Sequence, residues 1–345
     1  MGCPANIREQ VNFWSFAKQA DIATQIADSG LWRMKKLNPE LLNPVLLVED
    51  DATEYGKGHE FPTETFKTSW DAGLPQIDKY LSSDFAAWAM VFGLGHTVKT
   101  GTTPNFIYTC TPLDLVTDCL ELPYYSFGQA IRQGGSSVMD EIAIGCAIEG
   151  WTFTLGTGPG RANSKLVVEQ HGSGKFARPS GATIPSAFAE KLLPAASCAI
   201  TINGIDYVSA KTPISLEASW KNNLRLNMGY FPGSGSANGG AIRGRLFVGD
   251  RVLGLKFSVF FENGSDELTK LTAQTSGTAI VTVTFDTNNS LQLTYEKLVF
   301  KTAVRNNTEG IVNVEVDCTP LYDPTNGLIS VVAKCNTDGI GEVAA

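Results

Sequence analysis

The segment IVNVEVDC, residues 311–318, alternates apolar and polar side chains and decides the class of fold. Successive side chains of an extended chain point to opposite sides. One side here is apolar and the other is polar: Val312, Val314, Val316 and Cys318 against Asn313, Glu315 and Asp317. This period of two predicts a β-strand with one face in a core and the other in water.

The segments before it predict hairpins. AIVTVTF (279–285) and LQLTYEKLVF (291–300) flank a polar turn at 286–290. Asn203-Gly204 also lies between two β-rich runs. Asn-Gly in that position is the strongest short sequence signal for a two-residue hairpin turn.

A long strand is predicted further towards the N-terminus, at IAIGCAIEGWTFTL (142–155). Its alternation shifts at Glu149-Gly150, where we expect a β-bulge. The Gly-rich stretch GTGPGRANS (156–164) then leads into a second β-rich run, KLVVEQH (165–171). We therefore expect that stretch to be a hairpin tip.

Residues 83–92 predict a helix that begins after Ser82 or Ser83 as its cap and ends at Gly93. Three aromatic residues share one face of this helix: Phe85, Trp88 and Phe92. A stripe of this kind predicts a core contact rather than a cofactor site.

The organisation of the chain is predicted from its length and composition. Residues 1–65 are irregular, and we expect an extended N-terminal arm with a short helix near 12–28. A further short helix is expected near 266–274, with Ser265 as its cap. Because 345 residues exceed one ordinary domain, the remainder divides into two β domains, 66–198 and 199–345.

A weak internal repeat bears on this division. Glu-x-Trp-x-Phe begins at Glu149 and is followed by Val-Glu at Val168, and Glu-x-Leu-x-Phe begins at Glu296 and is followed by Val-Glu at Val314. The spacing from Glu to Val is 19 residues in the first case and 18 in the second. A duplicated β domain and a chance match between two hairpins both stay open.

The charge of the chain limits its partners. Lys and Arg total 27 against 35 Asp and Glu, which gives a formal net charge of −8 and a pI near 5.0. Tight nucleic-acid binding depends on cationic groups that neutralise phosphates and release counterions. A repressor-like or polymerase-like protein is therefore not expected.

The cysteines and the apolar segments bear on the compartment. Seven Cys are present without a CxxC pair, and the start MGCPANIREQVNF has no apolar run. We therefore expect reduced thiols that pack as small hydrophobic residues, and no secretion by the general pathway. No stretch reaches the roughly 18 apolar residues of a membrane helix, so no membrane partner is expected.

Motifs for catalysis or cofactor binding are lacking in the sequence. GTGPG (156–160) is not followed by the helix that a dinucleotide-binding loop needs, and no G-x-S-x-G elbow occurs. His59, His96 and His171 lie far apart and in no metal-ligand spacing. We expect no enzyme activity, no cofactor and no metal, although the many carboxylates leave a glycosidase-type pair open.

Seven segments, taken in order, carry a resemblance to a known family. They are FKTSWDAGLPQIDKYLSSDFAAWAMVFGLG (66–95), FIYTCTPLD (106–114), ELPYYSF (121–127), EIAIGCAIEGWTFTL (141–155), KLVVEQHGSGKF (165–176), TPISLEASWKNNL (212–224) and YEKLVFKTAVRNNTEGIVNVEVDCTPLYD (295–323). Their order and spacing resemble the tail tube (major tail) proteins of long-tailed bacteriophages over most of the chain. The first 60 residues match least well.

The resemblance implies a mainly β fold: a tail-tube-type β-sandwich or partly rolled barrel, in one copy or two tandem copies, with two or three short helices. It also implies a structural virion protein whose copies form rings of three or six subunits. Stacked rings form the tube that delivers the genome into the host. The arm and the loop GSGSANGG (233–240) are either bridges between copies or ordinary surface loops.

The implied partners are other copies of the chain and other tail proteins, such as the tape measure, tail terminator and baseplate components. DNA is expected to pass through the tube without specific binding. The implied location is the tail of the virion, after assembly in the host cytoplasm.

Glu315 and Asp317 are the hypothetical lumen-facing residues, since an acidic lining repels the phosphate backbone and keeps it mobile. The alternative, an ordinary solvated face on the outside of the sheet, is the simpler explanation. Two other protein classes stay open. A phage capsid or decoration protein shares the β-rich, acidic profile, and a carbohydrate-binding β protein would use Trp70, Trp151 and Trp220.

Overall fold

The computed structural model describes residues 9–26, 31–32, 41–50, 65–114, 121–133, 136–156, 163–185, 190–210, 213–231, 241–261, 267–308 and 310–343. Within these residues the chain forms mostly antiparallel strands and three α-helices. The mainly β fold with few helices that the sequence predicts is therefore confirmed.

Strands make up most of both halves of the chain. The first half contains β1 (Glu9–Ser15), β2 (Leu31–Trp32), β3 (Val45–Asp50), β4 (Thr65–Asp71), β5 (Ile77–Tyr80), α1 (Ser83–Leu94), β6 (Gly95–Thr102), β7 (Asn105–Pro112), β8 (Tyr125–Gln133), β9 (Ser136–Gly156) and β10 (Asn163–Ala177). The second half contains β11 (Cys198–Ile202), β12 (Ile205–Asp206), α2 (Tyr207–Ala210), β13 (Pro213–Lys221), β14 (Tyr230–Phe231), β15 (Ile242–Arg243), β16 (Val252–Phe260), α3 (Glu267–Ala273), β17 (Gly277–Asp286), β18 (Asn289–Thr308), β19 (Ile311–Pro320) and β20 (Ile329–Cys335).

Most of the strands lie in two layers that face each other. The first layer runs in the order β5, β10, β9, β13, β16, β19 and β18, with antiparallel neighbours throughout. The second layer runs in the order β12, β11, β17, β18, β20, β7 and β6. Strand β18 belongs to both layers, since residues 290–295 pair with β20 and residues 298–308 pair with β19.

Apolar side chains from both layers meet in one buried core. The first layer supplies Leu216, Phe257 and Val316, and the second supplies Val281, Leu293 and Val331, among others. A direct hydrogen bond also joins the layers, because the Tyr295 hydroxyl donates to the backbone oxygen of Gly254 at 3.1 Å. The molecule is therefore a β-sandwich whose two layers are parts of one folded sheet.

Helix α1 lies in this core, and all 12 of its residues are buried. It contacts β9 of the first layer and β6, β7 and β20 of the second. Phe85 stacks on Trp88 with ring centroids 5.9 Å apart, and the Trp88 indole donates to the Ser15 carbonyl oxygen at 3.1 Å. The predicted core role of Phe85, Trp88 and Phe92 is confirmed.

The ends of α1 differ from the sequence prediction. Ser82 is the N-cap residue, but its hydroxyl donates to the Glu190 carboxylate at 2.8 Å instead of capping the helix. The predicted end at Gly93 is wrong, since the helix continues to Leu94. Gly95 closes it with a φ of 93°, a left-handed conformation that Gly adopts without steric cost.

The predicted hairpins are confirmed. Asn203 and Gly204 join β11 to β12 with φ values of 52° and 77°, as a type I′ turn requires. Strands β17 and β18 form the second hairpin, whose turn is closed by the pair Asp286 and Asn289. Strands β9 and β10 also pair as a hairpin, and residues 157–162 at its tip lie outside the described residues.

The predicted bulge in β9 is confirmed at Glu149. In the ladder between β10 and β9, Glu169 pairs with Gly150 and Gln170 pairs with Ile148, so Glu149 is the extra residue. The bulge divides β9 in two. The part before it pairs with β8, and the part after it pairs with β13 in the first layer.

The helix predicted near 12–28 is wrong. Residues 9–15 form β1, which lies between β8 and β2. Residues 11–15 are all buried, so no strand period is visible in the sequence there. Trp14 and Trp32 lie in the main core, so this part of the proposed arm belongs to the body of the molecule. Helix α3 confirms the helix predicted near 266–274, and its proposed cap lies outside the described residues.

Strand pairing crosses the proposed domain boundary at residue 198. Strand β9 pairs with β13, β7 pairs with β20, and the core contains residues from both sides. The described residues of 66–198 and 199–345 therefore share one sheet and one core. The division into two domains and the duplication stay predictions.

Asp84, in the first turn of α1, leads to a prediction about pH. Its buried carboxylate accepts hydrogen bonds from the hydroxyls of Thr337 and Ser83, and burial raises its pKa above the usual value of 3.8. The folded state therefore favours the protonated carboxyl. The stability that this preference contributes is complete below the unfolded pKa and is lost as pH rises through the folded pKa.

We expect Asp84→Asn, which cannot ionise, to gain stability relative to the unmodified protein as pH rises from about 4 to about 7. Urea unfolding at several pH values measures the difference. Asp338→Asn is the matched control: Lys99 lowers the pKa of that exposed carboxyl, so the control changes in the opposite direction and mainly below about pH 4. A difference for Asp84→Asn that does not change with pH would contradict the prediction.

Candidate functional site

The outer side of the first layer is a polar surface, which we call the polar face. In β13 the inward residues Leu216, Ala218 and Trp220 are buried, and the residues between them turn outwards. The same alternation holds in β16 and β19, where Phe257 and Val316 point inwards. The core therefore determines which side chains of these strands reach the polar face.

The polar face consists of four rows of directly paired residues. The two central rows are Tyr80, Lys165, Thr154, Glu217, Lys256, Asp317 and Thr302, and then Gly156, Ser215, Ser258, Glu315 and Val304. The two remaining rows are Asp78, Val167, Thr152, Ser219 and Gly254, and then Glu169, Gly150, Lys221 and Val252. Hydroxyl and charged groups dominate, which is typical of a sheet face in water.

The polar face is acidic overall. Its charged side chains are Asp78, Glu169, Glu217, Glu315 and Asp317 against Lys165, Lys221 and Lys256. Five carboxylates and three ammonium groups leave an excess of two negative charges. Lys301, the extra residue of a bulge in β18, is exposed at the edge of the layer.

Glu315 and Asp317, the predicted lumen residues, both lie on the polar face. Glu315 is exposed, and its carboxylate accepts a hydrogen bond from the Asn306 amide at 2.9 Å. Asp317 is half-buried and lies directly opposite Lys256. The structure adds Glu217 on the far side of Lys256, a residue that the sequence analysis missed; the alternation of apolar and polar side chains within 213–221 is the signal that could have found it.

The lysines of the polar face lie beside carboxylates. Lys221 Nζ is 3.4 Å from Glu169 Oε2, and Lys165 Nζ is 3.9 Å from Asp78 Oδ2. A groove of about 270 Å³ lies in the middle of the face. Its polar lining consists of Thr154, Ser215, Glu217, Lys256, Ser258 and Glu315. The site is thus a wet surface of hydroxyls and mixed charges.

The tryptophans considered for carbohydrate binding do not reach this surface. Trp70, Trp151 and Trp220 are 8%, 1% and 0% exposed. A sugar ring stacks on an exposed aromatic face, which these buried residues do not offer. The prediction that they form a carbohydrate site therefore loses its basis.

Cysteines and histidines are the other residues that the sequence analysis considered for chemistry. The described cysteines are free thiols: Cys110, Cys146, Cys198, Cys318 and Cys335. Burial raises the pKa of Cys110 and Cys335 to about 12, so these thiols stay protonated and unreactive at neutral pH. Within the described ranges, no three His, Cys, Asp or Glu side chains are placed to hold a metal ion. His59 lies outside those ranges.

Comparisons with known proteins assign no function to the polar face. No helix in the described part of the chain is both long enough and apolar enough to cross a membrane. No protein-family model matches the chain, and no curated protein matches its sequence.

Proposed function

We propose that this protein is a structural virion protein that builds the tail tube of a long-tailed bacteriophage. Copies join into rings of three or six subunits, the rings stack, and the polar face lines the channel for the genome. One observation carries the proposal. Among the described residues, the first layer is a continuous antiparallel sheet with one buried face and one acidic face, and the strand segment at each of its two sides has a single strand neighbour.

The outer strands of the first layer supply the proposed joint between copies. Among the described strands, β5 has a neighbour only in β10, and residues 299–308 of β18 have one only in β19. Exposed strand edges pair readily with another chain. Pairing between the β18 edge of one copy and the β5 edge of the next is a heterologous contact, and such contacts close into a ring when the rotation fits.

The acidic charge of the polar face suits a channel for DNA. Each cationic contact with a phosphate releases counterions and adds affinity, which would slow the passage of a long molecule. A net negative face in a chain with a formal charge of −8 repels the phosphate backbone instead.

The outer side of the second layer has a different character. A row of paired residues crosses six of its strands without any charge: Val98, Thr109, Val332, Gln292, Thr282 and Ala199. The two rows beside it contain one charge of each sign, Lys334 and Asp206. These three rows have no acidic excess, and this contrast with the polar face is the reason for assigning the first layer to the channel.

The proposed partners are other copies of the chain and other tail proteins, such as the tape measure, tail terminator and baseplate components. DNA passes without specific binding, and the tail is assembled in the host cytoplasm. Residues 1–8, 27–30, 33–40 and 51–64 of the proposed arm lie outside the described residues, as does the loop 233–240. A bridging role for these segments stays a prediction.

Negative-stain electron microscopy of the purified protein at high concentration, together with its mass in solution, tests the proposal. Rings or hollow tubes of uniform width are the expected result, and their symmetry distinguishes three subunits from six. Closed shells would contradict the proposal and favour a capsid protein.

The proposed joint leads to a prediction for Val304, which is 52% exposed on the edge strand β18. We expect Val304→Lys to fold normally but to prevent rings and tubes, since a charge on an edge strand opposes pairing with another chain. Val98→Lys is the matched control, because Val98 is also 52% exposed and lies on β6 at the edge of the second layer. Tubes formed by Val304→Lys as readily as by the control would place the joint elsewhere.

The proposed lining leads to a prediction for Glu315 and Asp317. We expect their joint replacement by Lys to slow genome ejection from virions with intact tubes, because the new cations attract phosphates. Ejection kinetics measure the effect. Replacement of the exposed Asp338 and Glu342 by Lys is the control with the same change in charge. Unchanged ejection with intact tubes would remove Glu315 and Asp317 from the channel.

A further inference from the structure

We infer that the carboxylates of the polar face mask its lysines, so that a passing nucleic acid meets a carboxylate beside each of Lys165, Lys221 and Lys256. The inference rests on the proposed function, which brings DNA to this surface. It goes further than an acidic lining, because it assigns a task to individual carboxylates at the positions of Lys165, Lys221 and Lys256.

Two of the lysines form ion pairs within the face. Lys221 Nζ lies 3.4 Å from Glu169 Oε2, and the two side chains are 50% and 42% exposed. Lys165 Nζ lies 3.9 Å from Asp78 Oδ2, with exposures of 37% and 45%. Pairs as exposed as these contribute little to folding stability. They do, however, neutralise the ammonium groups at the surface where a phosphate would approach.

The third lysine lies between two carboxylates. In the ladders of the first layer, Lys256 is directly opposite Glu217 on one side and Asp317 on the other. Directly opposite residues of an antiparallel pair have Cβ atoms about 4.5–5.5 Å apart. Glu315 follows in the next row and lines the same groove. A phosphate that approaches Lys256 therefore meets negative charge on both sides.

The lysines reduce the electrostatic repulsion between neighbouring copies in the proposed ring. Without them, each copy would present five carboxylates to one channel, and the repulsion between neighbouring copies would oppose ring formation. With three lysines interspersed, the excess falls to two negative charges. A carboxylate beside each lysine, in an ion pair for Lys165 and Lys221 and directly opposite in the sheet for Lys256, keeps this benefit without creating phosphate-binding sites.

DNA binding by the purified, unassembled protein tests the inference. We expect the unmodified protein not to be retained on immobilised duplex DNA at low salt. The triple variant Glu169→Gln, Glu217→Gln and Asp317→Asn uncovers Lys221 and Lys256 and should be retained. Two phosphate contacts predict about a twelvefold loss of affinity between about 50 and about 200 mM salt.

The matched control is Glu121→Gln, Asp338→Asn and Glu342→Gln. It removes the same number of charges and uncovers two cations elsewhere, Arg245 and Lys99. Retention of the control equal to that of the triple variant would overturn the inference, because net charge alone would then explain binding. Failure of the triple variant to bind would also overturn it.

A second comparison identifies the groups that bind. Adding Lys221→Gln and Lys256→Gln to the triple variant should abolish the retention, and persistent retention would contradict the inference. None of these measurements requires rings or tubes. A failure here is therefore distinct from a failure of the proposed function, which microscopy of the unmodified protein decides.

Discussion

The complete burial of helix α1 is the constraint on which the two layers depend. Polar backbone groups inside a protein need hydrogen-bond partners, so a buried helix requires specific strands beside it. The Gly93 carbonyl accepts hydrogen bonds from the Trp220 indole at 3.2 Å and the Asn222 amide at 2.9 Å, which places the end of β13 against the helix. The Trp88 indole of the helix donates a hydrogen bond to the Ser15 carbonyl oxygen, which holds β1 in place. The helix thus positions strands that lie far apart in the chain.

This inner packing also decides the chemistry of the outer side. Because the inward residues of the first layer are committed to the core, strand alternation sends hydroxyl and charged groups outwards. The neighbours on that side come from segments far apart in the chain, as Glu217, Lys256 and Asp317 do. The order of the strands therefore determines which side chains form the proposed channel lining. The same order leaves a strand at each side of the layer with a single neighbour, and the proposed rings depend on these two edges.

The sequence predicts the features that depend on residues close together in the chain. The turn at Asn203-Gly204, the bulge at Glu149 and the apolar side of β19 all follow from local patterns, and Glu315 and Asp317 are placed correctly on the polar side of their strand. Strand β1 could not be predicted, because a strand buried on both faces shows no period. The position of Lys256 between two carboxylates could not be predicted either, since the register of β16 against β13 and β19 depends on the packing of the whole core.

Strand β18 runs through both layers, with a bulge at Lys301, and therefore joins them by a single stretch of backbone. Residues 290–295 are held between β17 and β20, whereas residues 299–308 reach the open edge. Because no loop separates these two parts of β18, a force on that edge is transmitted along the backbone into the middle of the second layer. In the proposed tube, we therefore expect bending to occur between stacked rings rather than within the subunits.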